Sequence, residues 1–178
     1  MYNTNAPSYP EFVETEFFHV STVRLPAFAG MQITNGPYGA VSEQGPSTGE
    51  THAVVGKELD ISVAREVVAW VIEHQKEIRA LLFPALVEGY HAMRELIIES
   101  LIDESPEDVV PEIQSPEELA PLCGLVALHI GGITQDRQPL FGIELGCNWE
   151  PEHGAGVCFQ GLTIVMAGEA SDAFAFPQ

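Results

Sequence analysis

At 178 residues, with 46% hydrophobic and 19% charged residues, the chain is long enough to bury a sizeable core without a disulfide or a metal to staple it. Its 26 acidic residues against 7 basic ones give a formal charge of −19, and the basic residues (Arg24, Lys57, Arg65, Lys76, Arg79, Arg94 and Arg137) are scattered, not clustered. Nucleic acids and anionic membranes are gripped by clustered cations, so neither is expected as a partner; a basic protein fits the charge.

Residues 1–10 read as a loose polar leader, without the charged-then-apolar order of a signal peptide. From residue 11 to 56 the composition favours strands. Phe17, Phe18, Val20, Val23 and Leu25 fill two short strands, broken at Pro26. Met31 to Thr34 then runs into Asn35-Gly36, a hairpin signal because both residues tolerate positive φ. Ser42 to Gly49 has loop composition.

The middle, residues 60–103, is helical. Asp60 or Ser62 caps the start, and Ala64, Val67, Val68, Val71 and Ile72 follow at helical spacing. Ile78, Leu82, Leu86, Tyr90, Met93, Ile97 and Leu101 form a second stripe. The first stripe lapses near His74-Gln75-Lys76, so the break is expected there and not at Pro84. The acidic stretch from Asp103 to Glu118 is a linker. Ser115-Pro116-Glu117-Glu118 starts one short helix, with Ser115 as its cap, ending near Cys123.

The last third, residues 124–168, reads as a four-stranded β-meander. Its strands run over Leu125 to Gly131, Leu140 to Asn148, Gly156 to Phe159 and Leu162 to Ala167. Phe141, Ile143, Leu145 and Cys147 share one face. Short turns between strands force antiparallel pairing. The expected fold class is therefore α+β in a single domain: an antiparallel sheet of N-terminal strands and C-terminal meander, with the central helices packed on one face.

The densest polar cluster is Trp149-Glu150-Pro151-Glu152-His153-Gly154, in the turn between two meander strands. Glu150, Glu152 and His153 are the residue types of a base, an acid or a metal ligand, and His129 and Glu144 are the nearest candidates to complete a site. The structural reading of the same residues is a stiff turn: Gly154 and Gly156 supply unusual backbone angles, Pro151 rigidifies, and Trp149 packs over the sheet edge. Cys147 and Cys158 flank the turn and are placed to face each other, either as a thiol pair or as two ordinary buried cysteines. The odd total of three cysteines, with Cys123, suits reduced thiols in a cytoplasm. No apolar run approaches the ~20 residues of a membrane span. No H-E-x-x-H, phosphate loop or Gly-x-Ser-x-Gly elbow is present, so no catalytic residue, metal ligand or cofactor is assigned.

The segment Trp149-Glu150-Pro151-Glu152-His153-Gly154-Ala155-Gly156-Val157 resembles the C-terminal signature of a bacterial domain family of unknown function: Trp, acid, any residue, Glu, His, Gly, any residue, Gly, Val. Gln160-Gly161, and Gly168 with Asp172, stand where that family has a short hairpin and a glycine with a nearby acid. Some similar domains belong to toxin–immunity systems, so the resemblance implies a small acidic inhibitor of a toxin. It also implies that Trp149, Glu152, His153, Gly154 and Gly156 matter to the fold or to a surface.

The expected function is a cytoplasmic, non-enzymatic binding module for a basic protein, immunity-like, with Trp149, Glu150, Glu152, His153 and Gly154 as its binding residues. The alternative is a metal-dependent or acid/base hydrolase built on the same turn. A third possibility, a dimer formed through the helix stripes, is separated from both by light scattering.

Overall fold

Among the described residues seven strands form one sheet whose spatial order follows the chain. The computed structural model describes residues 10–33, 46–103 and 105–177. Residues 1–9 of the expected leader and the expected Asn35-Gly36 turn lie outside them. The strands are β1 (Val13–Glu14), β2 (Phe18–Arg24), β3 (Glu50–Gly56), β4 (Cys123–Ile133), β5 (Pro139–Cys147), β6 (Ala155–Gln160) and β7 (Thr163–Gly168).

The fold is α+β, and the C-terminal strands pair antiparallel, but the sheet is not wholly antiparallel. β3 and β4 run parallel, from His52 opposite Ala127 to Val55 opposite Ile130. The reason is the connection. A turn of a few residues reverses the chain, whereas residues 57–122, which carry the helices, form a crossover that returns the chain in its original direction.

Helix α1 (Ile61–Glu73) starts at Asp60, whose carboxylate accepts the Ser62 backbone N–H at 2.7 Å. The bonds from Ser62, side chain and backbone, hold the Asp60 carboxyl below its ordinary pKa. Helix α2 (Gln75–Ser100) follows after a break at His74 and runs on through Pro84. The break is held by two local contacts and one tertiary bond. The Gln75 amide donates to Ile72 O at 2.8 Å, and its oxygen accepts from Ala27 N, also at 2.8 Å. The His74 ring stacks on Trp70 at 4.0 Å.

Beyond α2 lie a single helical turn, α3 (Pro106–Val109), and a 3-10 turn over Pro116–Leu122. Ser115 does not cap the latter with its side chain. The Glu118 carboxylate instead accepts Gln114 N at 2.7 Å. Pro121 inside the turn lacks the N–H that a longer α-helix would require.

One face of the sheet and both helices share a single buried cluster. α1 lies against β4 and β5, and α2 against β6 and β7. The Phe141 ring stacks on Phe159 at 5.1 Å and meets Trp70 at 6.0 Å. A bulge at Val126 moves the inward positions of β4 from Cys123 and Leu125 to Leu128 and Ile130.

The other face is covered differently. After β7 the chain turns back through a 3-10 turn, Ala170–Ala173, which lies on β5 and β6. Gly142 and Gly156 permit that approach. A side chain at Gly142 would collide with the Ala173 carbonyl, and one at Gly156 with the backbone of residues 169–173. Gly156 thus serves by lacking a side chain, not through an unusual backbone angle.

Candidate functional site

The turn between β5 and β6 is built from its two ends. Asn148 N bonds to Leu122 O at 2.9 Å, and Gly154 N closes on Glu150 O at 2.8 Å. Gly154 has φ +63°, a conformation that other residues adopt only with strain, and sits against the Leu145 carbonyl. The His153 carbonyl accepts Ala170 N at 3.1 Å, which ties the turn to the returning tail.

Trp149 does not lie over the sheet edge. It is 3% exposed and meets the Tyr90 ring edge-on at 5.3 Å. Tyr90 is itself fully buried and donates its hydroxyl to Pro111 O. Burial raises the Tyr90 pKa. A buried indole against a buried, anchored phenol makes Trp149 a core residue that positions the turn. Of the five residues singled out in the turn, Trp149 and Gly154 are framework, whereas Glu152 and His153 face solvent and Glu150 is half-buried. His153 Nδ1 lies 3.2 Å from Glu150 Oε1.

Beside the turn is a groove of about 410 Å³. One wall is α2, where Ala85, Gly89 and Ala92 leave little side-chain bulk; the other is Trp149, Glu150 and the end of β7. Space at Gly89 is open where a Cβ would stand. The charged residues lining the groove are Glu88, Glu150 and Glu169, and among the described residues no Lys or Arg joins them. Three carboxylates around an apolar lining that includes Leu86, Met93 and Trp149 suit the ammonium or guanidinium of a long side chain, whose hydrocarbon stem packs below its charged head. Glu88 and Glu169 were not found by sequence reasoning. The available signal was the small-residue spacing Ala85, Gly89, Ala92 next to Glu88, and it points to a groove only once the turn is known to lie opposite.

The residues proposed to complete a metal or hydrolytic site form their own pair. His129 Nε2 lies 2.6 Å from Glu144 Oε2, diagonally across β4 and β5 on the tail-covered face. Among the described residues no group of three or more His, Cys, Asp or Glu has the geometry to hold a metal ion. The structure thus gives two separate His–Glu contacts, not one site joining the turn to His129 and Glu144.

The cysteines are free and buried. Cys147 and Cys158 do not face each other. Cys147 belongs to the helix-side core and sits opposite Cys123, whereas Cys158 points to the other face, opposite Gly142. Strand alternation, with Val157 and Phe159 inward, dictates this. Burial pushes the Cys147 thiol up to about 12 and the Cys123 thiol well above its ordinary value. Burial, then the nearby Asp172, raises Cys158. Reactive cysteines need the opposite shift.

A family model described as a domain of unknown function (DUF6985) matches residues 49–174. The chain belongs to this family. No curated protein and no solved structure matches the chain significantly. The DUF6985 region begins at the edge of β3 and ends just after the 3-10 turn of the tail, so it includes both long helices, the signature turn and the groove. β1 and β2 extend its sheet from outside the match. Among the described residues no helix is long and apolar enough to cross a membrane.

Proposed function

We propose that this DUF6985 protein is a non-enzymatic binding module that docks a basic protein in the groove between α2 and the Trp149–Gly154 turn. The observation that carries this reading is the lining: Glu88, Glu150 and Glu169 around apolar residues, small ones beside Leu86, Met93 and Trp149, with no basic side chain among the described residues. The formal charge of −19 adds long-range attraction for a basic partner and speeds encounter, an effect that weakens with salt. Within that reading the partner is a basic bacterial toxin and the protein its immunity-like inhibitor, in a cytoplasm; the sequence resemblance and the charge support this.

The test uses the full chain and a Glu88→Gln/Glu150→Gln/Glu169→Gln variant as baits in native-host lysate at low and high salt. A basic protein retained by the wild type at low salt, released by salt and lost by the variant supports the proposal. Retention of nothing, or equal retention by both baits, overturns it. The competing hydrolase reading is favoured by the Glu150–His153 contact at 3.2 Å. It requires that Glu150→Gln or His153→Ala abolish a turnover measurable with the wild type.

A further inference from the structure

A second cleft, of about 430 Å³, opens on the opposite face of the sheet, beside the tail. Its lining includes three phenylalanines from two distant parts of the chain: Phe18 on β2, and Phe174 and Phe176 on the tail. Phe18 is 47% and Phe174 49% exposed, so both rings present apolar surface beside the cleft. Phe174 meets the His129 ring at 4.8 Å, and Phe176 lies on the bare backbone of Gly131. The one carboxylate in the lining, among the described residues, is that of Glu58, folded back against Gly56.

The charges around this cleft select the class of ligand. Among the described residues no Lys or Arg lines it. Lys57, next to two lining residues, places its ammonium 2.8 Å from Glu14. His129 is bound to Glu144 at 2.6 Å. An anion would meet Glu58 and the acidic chain. A neutral apolar ligand would leave the Glu58 carboxylate without a counter-charge. A cation with a greasy surface satisfies both features: its methyl groups lie on the phenyl faces, whose quadrupoles attract positive charge, and its charge faces Glu58. The cleft's volume is that of a small-molecule site.

We propose that this cleft binds a small quaternary ammonium compound of the choline type, held between Phe18, Phe174 and Phe176 with Glu58 as counter-charge. The site is independent of the acidic groove on the other side of the sheet.

The experiment titrates the full chain with choline, and with 3,3-dimethylbutan-1-ol, which has the same shape without the charge, by calorimetry and by NMR. Saturable choline binding is expected, with the neutral isostere about tenfold weaker, since a few ring–cation contacts supply that ratio. Glu58→Gln and Phe174→Ala each weaken choline at least about threefold. The Glu88→Gln/Glu150→Gln/Glu169→Gln variant binds choline like the wild type, which separates this site from the proposed docking groove. Equal binding of the isostere, absence of saturable choline binding, or no loss in Glu58→Gln overturns the proposal. Glu58 is exposed, so its variant keeps the test valid even where Phe174→Ala alters the tail.

Discussion

The two faces of the sheet are covered by different means. On the helix side, large side chains interlock: Phe141 between Trp70 and Phe159, Trp149 against Tyr90, all at ring-contact distance. On the other side a short tail lies on bare backbone, with Gly142 and Gly156 beneath it. The first arrangement derives its strength from buried apolar area. The second depends on the absence of side chains and leaves Phe18 and Phe174 half exposed. Burial sets where stability resides, and incomplete cover leaves a cleft in which a ligand can bind.

The largest expected effect is on the helix side. Phe141→Ala removes a fully buried ring and costs about 3–5 kcal/mol, read as a lower urea midpoint. A loss under about 1 kcal/mol would mean the helix-side core is not where stability lies.

On the tail side, Gly142→Ala forces the Ala173 carbonyl away and costs about 1–3 kcal/mol. The expected signature is local. Amides of residues 169–176 exchange faster, and Cys158, buried beneath the tail, becomes the first thiol to react with a disulfide reagent, ahead of Cys123 and Cys147. Uniform destabilisation with no preferential labelling of Cys158 would show that the tail and the core unfold together.

Alkaline pH probes the helix side again. An unfolded thiol ionises at about pH 8.5. Folded Cys147 holds its proton up to about 12. Across that window the unfolded chain releases a proton that the folded chain keeps, so stability, intact below the unfolded value, falls as pH rises. The slope from this thiol is at most about 1.4 kcal/mol per pH unit. Cys147→Ala flattens the alkaline limb of the stability–pH curve; an unchanged limb would show that other groups, such as Cys123 or Tyr90, dominate it.

The smallest effect belongs to the half-buried pair on the tail side. Glu144→Gln keeps a hydrogen-bonding group toward His129 and costs no more than about 1 kcal/mol by chemical denaturation. A larger loss would show that the tail side depends on this contact as heavily as the helix side depends on its rings.

Local physics made much of this molecule legible from its sequence. Strand alternation placed Phe141, Ile143, Leu145 and Cys147 on one face, and the lapse of the apolar stripe placed the helix break near His74, because both follow from periodicities of neighbouring residues. The same local logic fails where a contact comes from far along the chain. The parallel β3–β4 ladder sets Val54 opposite His129, across the whole helical crossover. Nothing adjacent to either strand encodes that pairing. The acidic groove needs Glu88 from a helix, Glu150 from a turn and Glu169 from the tail, and the aromatic cleft needs Phe18 beside Phe174 and Phe176. The sequence by itself determined the elements and the faces they bury, since those depend on side-chain period and backbone chemistry within a few residues. Only the tertiary structure decided which carboxylates and which rings share a surface, because that depends on how the crossover and the returning tail close over the sheet.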